Sequence, residues 1–123
     1  MKLFKYLNLL LWLLLCNTRA QLLMLSEDEK EYIELVLNGV NSNLEKIDDI
    51  ILSNLKNWTI DRIFKIDLAI LRLAIYEILF MDDVPLKVSA NEAVELAKTY
   101  GNNDSKSFIN GLIAKVIESK DEN

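Results

Sequence analysis

The chain has no histidine, one cysteine, one proline and three glycines among its 123 residues. Without histidine it has no His-based triad, no imidazole metal ligand and no side chain that ordinarily titrates near neutral pH. The lone cysteine, Cys16, excludes an intrachain disulfide. So little Gly and Pro leaves few residues for the many tight turns of a sheet protein, and the scarcity favours helices. Basic residues are also in deficit, 14 against 19 acidic ones, for a formal charge of −5. General affinity for nucleic acid comes from neutralising phosphates, so any RNA contact here requires a local basic patch or a basic partner. What the chain does have is a 51% hydrophobic content, at a length that suits one compact domain with its own core.

That content is concentrated in one stretch. From Ile66 to Phe80 the sequence is apolar on almost every face of a helix, interrupted only by Asp67, Arg72, Tyr76 and Glu77. A helix apolar on two faces must be surrounded, so this one reads as the centre of an all-helical bundle. Asp82-Asp83-Val84-Pro85 then forms a sharp corner, because Pro85 biases Val84 away from helical geometry and paired aspartates favour a turn.

The first twenty residues are of a different kind. Lys2 and Lys5 precede an apolar run from Leu9 to Leu15, followed by Cys16 and, at position 20, a small alanine. From these residues alone a secretory or lipid-anchored signal stands slightly ahead of an apolar first helix carrying Leu3, Leu7, Leu10 and Leu14. The run is short for a bilayer span. We expect residues 1–20 to be an atypical N-terminal segment, 21–118 the helical domain and 119–123 a polar tail.

Beyond it, Ser26 with Glu29, Ser42 with Glu45, and Ser89 with Glu92 have the spacing of capping boxes and mark three helix starts. Gly39 reads as a helix stop and Asn41-Ser42-Asn43 as a connector. Thr59 is expected to cap a short helical turn, and Trp58 to anchor the core rather than serve as a stacking platform for a base. A small-residue face (Ala90, Ala93, Val94, Ala97) lets two helices approach closely, and Gly101 ends that helix. Asn102 to Ser105 is the connector to a last amphipathic helix from Phe108 to Ile117, in which Gly111 suggests close packing.

Chemistry has little to work with. The glycines form no phosphate-cradling loop, Ser105 and Ser107 have no histidine partner, and Asp82-Asp83 is accounted for by the turn. No enzyme, cofactor or metal site is expected. Asp104-Ser105-Lys106-Ser107-Phe108 combines helix-start N–H groups, hydroxyls, a lysine and an aromatic, the ingredients of phosphate holding and base stacking. Capping with Phe108 in the core is the plainer reading of the same residues.

The order ILRLA-x-YEILF-x-DDVP-x-KV-xx-NEAVELAK-x-YG-xx-DS-xx-FINGL resembles the C-terminal half of the NusB family of bacterial antitermination factors. The resemblance runs from Leu35 to Ile117 and is dense from Trp58 to Lys115. It implies a bundle of about six to seven helices and a non-catalytic, cytoplasmic, RNA-binding role. In that role the factor joins NusE, a small-subunit ribosomal protein, on the boxA element of ribosomal RNA leader transcripts. The pair then acts in the RNA polymerase elongation complex with other Nus factors, and a homodimer is a further option. By the same resemblance, Asp104, Ser105, Lys106 and Phe108 would face RNA, and Tyr76, Glu77, Asp82 and Asp83 would lie near the RNA or partner surface. The family begins with an arginine-rich segment that contacts RNA, whereas Arg19 is the only arginine here before Arg62. We therefore expect the start of this chain to differ from that of an ordinary member. The alternatives are a module related to the N-terminal domains of ribosomal RNA methyltransferases, an exported or lipid-anchored helical interaction protein, and a member that keeps the fold and NusE but has lost RNA.

Overall fold

A computed structural model of the chain describes residues 26–81 and 85–122, with the backbone alone at 29, 32, 121 and 122. The expectations for residues 1–20 and for Asp82 and Asp83 lie outside the described residues. Five α-helices and one 3₁₀ turn make up the described part, which has no strand: α1 (Glu27–Ser42), α2 (Leu44–Ser53), the turn Ile60–Arg62, α3 (Lys65–Phe80), α4 (Leu86–Tyr100) and α5 (Ser105–Glu122).

α3 occupies the centre that its composition demands. Ten of its 16 residues are buried, and α1, α2, α4 and α5 all pack on it. Ile70, Leu71, Leu73, Ile75 and Ile78 are at most 1% exposed, each contributing about 1.5–3 kcal/mol of hydrophobic stabilisation. Around them lie Ile33 of α1, Ile47 and Ile51 of α2, and Ile109 of α5, all fully buried. The polar interruptions of α3 each find a use. Arg72 reaches Asp48 of α2 through two parallel hydrogen bonds, Nε to Oδ1 at 2.9 Å and Nη2 to Oδ2 at 2.8 Å. That fork-to-fork geometry fixes orientation as well as supplying charge attraction. Glu77 is 1% exposed and accepts a hydrogen bond from Ser89 Oγ of α4 at 3.1 Å.

Several local expectations are corrected. Ser42 ends α1 instead of capping α2. Asn43 alone joins the two helices, giving its backbone N–H and its side-chain amide to the Gly39 carbonyl. Ser89 lies inside α4, which starts at Leu86 directly after Pro85, and its hydroxyl serves Glu77. Ser26 does directly precede α1, its carbonyl accepting from Lys30 N at 3.0 Å. Thr59 sits at the N-cap of the 3₁₀ turn as expected, though without a side-chain capping bond. Residues 119–122 continue α5 rather than forming a tail, and Lys120 donates to the Ile78 carbonyl near the end of α3. One orphan carbonyl at a helix C-terminus is thereby satisfied by a cation.

The three glycines differ in what surrounds them. Gly39 lies within α1, where a Cβ would collide with the Tyr76 ring. Gly101 ends α4 at φ −86°, an ordinary backbone angle, but a Cβ there would run into the Ser105 side chain. Both are therefore selected for space. Gly111 has nothing within 4 Å of where a Cβ would stand and is exposed, so the close packing expected of it is absent. Gly111→Ala should then raise stability by about 0.5–1 kcal/mol, the usual gain in an exposed helix interior. Gly101→Ala should lower it by about 1–3 kcal/mol through overpacking. Urea unfolding of the two variants against the parent measures both.

Candidate nucleic-acid and partner interface

The turn between α4 and α5 is held by its own side chains. Gly101 N closes α4 on the Ala97 carbonyl at 2.9 Å. Asn102 Oδ1 accepts from Asp104 N at 2.9 Å and from Ser105 Oγ at 3.2 Å, while Ser105 Oγ accepts from Asn102 N at 2.9 Å. Phe108 N then donates to the Asp104 carbonyl, opening α5. Reciprocal bonds of this kind are why Asn and Ser suit helix-start turns.

The four sequence candidates for RNA contact are thus separated by position. Asp104 and Lys106 are exposed, as is Ser107. Phe108 is half-buried, its ring centroid 6.0 Å from that of Trp58 at a 33° tilt. Ser105 is fully buried, so its hydroxyl sets the shape of the turn and offers no surface of its own. Trp58, expected in the core, is instead 45% exposed. It precedes a 3₁₀ turn that carries no buried residue, so its indole rests on the flank of the bundle against Phe108.

Beneath the turn lies an acid that the sequence did not single out for any task. Asp67, in the first turn of α3, is 5% exposed, and its Oδ1 has no hydrogen-bond partner among the described residues. Burial pushes its carboxyl above the ordinary range, and a hydrogen bond with the Ser105 side chain draws it partway back. Ser105 has a single hydroxyl proton, and Asn102 Oδ1 competes for it.

The candidates for the partner surface also divide. Tyr76 is half-buried and stacks on Phe80 with centroids 5.4 Å apart at 23°. Phe80 is exposed, and the Lys46 ammonium lies 5.4 Å from its ring centre, a cation–π geometry. Glu77, one residue on from Tyr76, is turned into the core. Phe80 and Lys46 were missed because each looks ordinary in sequence. Only the packing of α2 beside the end of α3 brings them together. Among the described residues no cluster of three potential metal ligands occurs, and no helix is long and apolar enough to cross a membrane.

The sequence model of the NusB family matches residues 5–118. The chain belongs to the NusB family. The transcription antitermination protein NusB of Clostridium acetobutylicum is 54% identical over 92 residues, which is 75% of this chain and 68% of that protein. Its namesake from Acetivibrio thermocellus is 53% identical over 96 residues, 78% of this chain and 66% of that one. NusB of T. maritima superposes with a TM-score of 0.73 at 37% identity, covering 77% of this chain and 67% of the other. The described bundle is therefore the NusB architecture, and the turn from Asn102 to Phe108 and the end of α3 are two surfaces of a NusB fold.

The raised Asp67 carboxyl carries a defined pH dependence. Because its folded-state pKa exceeds the unfolded one, the protonated form favours folding. That contribution is complete below the ordinary aspartate value of 3.8 and is lost as pH rises through the folded value. Asp67→Asn imitates the protonated acid at every pH. Its stability relative to the parent should therefore climb from pH 4 to pH 8, as read by thermal unfolding across that range.

Proposed function

We propose that this NusB-family chain is a cytoplasmic transcription antitermination factor that binds boxA RNA together with NusE and sustains processive ribosomal RNA synthesis. The observation that carries the reading is the family match across residues 5–118, with relatives named as transcription antitermination proteins over three quarters of the chain. The RNA face in this reading is the turn before α5. Asp104 and Lys106 are available to solvent there, Phe108 offers an aromatic edge, and Ser105 acts through the backbone it holds. Tyr76 with its neighbour Phe80, together with Asp82 and Asp83, is assigned to NusE in this reading, with Glu77 supporting α4 behind Tyr76.

Electrostatics supports a two-protein mode. A chain of net charge −5 contributes few phosphate contacts, so a basic companion must supply most of the counterion-release term. NusE then raises affinity, and the NusB turn contributes base stacking and position. A second reading, in which the chain keeps NusE but no longer grips RNA, is favoured by the same excess of acidic over basic residues.

Binding of boxA RNA and a scrambled control, with and without NusE, across a salt series separates the two. The proposal expects a boxA preference that strengthens with NusE. Equal binding of both RNAs by the NusE complex would leave the second reading standing. Within the boxA complex, Phe108→Ala should cost about 1–3 kcal/mol of affinity, the usual worth of one stacked base. Lys106→Gln should reduce the slope of log K against log salt by about 1.

A further inference from the structure

Trp58 and Phe108 come from distant parts of the chain, yet their rings meet at 6.0 Å. Beside them a surface cleft of about 480 Å³ is lined by Asn57, Trp58 and Arg62. Nearly half of Trp58 is in solvent. Arg62 is exposed and forms no ion pair among the described residues, not even with adjacent Asp61. Asn57 is exposed and holds φ at 59°, a left-handed angle that asparagine tolerates better than most side chains. Its backbone there departs from any helical course.

We propose that this cleft is a nucleotide subsite for single-stranded RNA, continuous through Phe108 with the turn before α5. The inference rests on the RNA-binding reading of that turn. An unpaired base stacks on the Trp58 indole, its polar edge meets the Asn57 amide, and the Arg62 guanidinium takes the adjoining phosphate. The chemistry of the wall favours this ligand over a protein side chain. A groove for a hydrophobic anchor is lined mainly by apolar groups, whereas here one aromatic stands between an amide and an unpaired guanidinium. The Trp58–Phe108 contact also gives the strand a route, because a base on Phe108 and a base on Trp58 would lie on neighbouring aromatics.

The test uses the full chain with NusE and single-stranded boxA RNA. Trp58→Leu should weaken binding roughly tenfold or more, the range of one lost base stack, and Trp58→Phe should restore most of it. Arg62→Gln should lower the salt slope by about 1. Melting temperature and NusE affinity should stay at parental values in all three. If Trp58→Leu and Arg62→Gln bind boxA as the parent does, the cleft holds no nucleotide and the inference falls by itself. If the parental pair binds no single-stranded RNA, the RNA reading falls and takes this subsite with it. Since Arg62 is exposed and outside the core, its variant decides the matter even if Trp58→Leu were to melt early.

Discussion

The whole arrangement depends on enclosing α3. A helix with ten of 16 residues buried cannot face water on any long side, and the other helices are placed by that need. α1 and α2 cover one part of its surface, and α4 and α5 another. Three polar side chains of α3 then become joints. Arg72 locks α2 through Asp48, Glu77 locks α4 through Ser89, and Asp67 lies under the start of α5 beside Ser105. Stripped of these, the apolar surface would still be buried, but helix register would be set only by the fit of Ile and Leu side chains. Buried hydrogen bonds with defined geometry choose among packings that a greasy core tolerates equally.

The same joints link the core to the proposed RNA face. Asn102, Ser105 and Asp67 connect the interior of α3 to a turn whose outer residues are Asp104 and Lys106. Gly101 is glycine because Ser105 needs the space next to it. A surface turn built on a buried hydroxyl, a buried acid and a collision-limited glycine has little freedom to rearrange. Such a turn can present side chains without a large ordering cost on binding.

Much of this architecture could be read directly from the residues. The enclosure of α3 followed from its composition, and the buried positions of α5, Ile109, Leu112, Ile113 and Val116, lie where helical spacing puts them. The Ser-x-x-Glu pairs were less informative. That spacing also occurs within any helix, so Ser89 could sit inside α4 and answer to Glu77, a partner twelve positions earlier. Gly39 and Gly111 are opaque in sequence for a related reason, since a helical glycine is explained by the neighbouring element, which in these cases is Tyr76 or nothing at all. The average behaviour of tryptophan points Trp58 to the core. Its true position depends on a short 3₁₀ turn with no buried residues, which no periodicity reveals. Asp67 looked like one polar break among four. Its burial against Ser105 needed the three-dimensional path of α5.

The acidic balance of the chain gives these details a common direction. A protein that cannot hold RNA by charge must either borrow charge or use interactions that charge does not control. Stacking is such an interaction, since every base has a π face and the contact is insensitive to net charge. The described surface offers aromatics at the edges of the bundle, Trp58 with Phe108 on one flank and Phe80 with Tyr76 on another. The first pair adjoins an unpaired guanidinium, which suits a phosphate. In the second, a lysine already occupies the neighbourhood of the Phe80 ring, which suits a protein surface rather than a base. Two aromatic pairs on one bundle thus differ in the cation beside them, and in the proposed reading that difference assigns the first to RNA and the second to NusE.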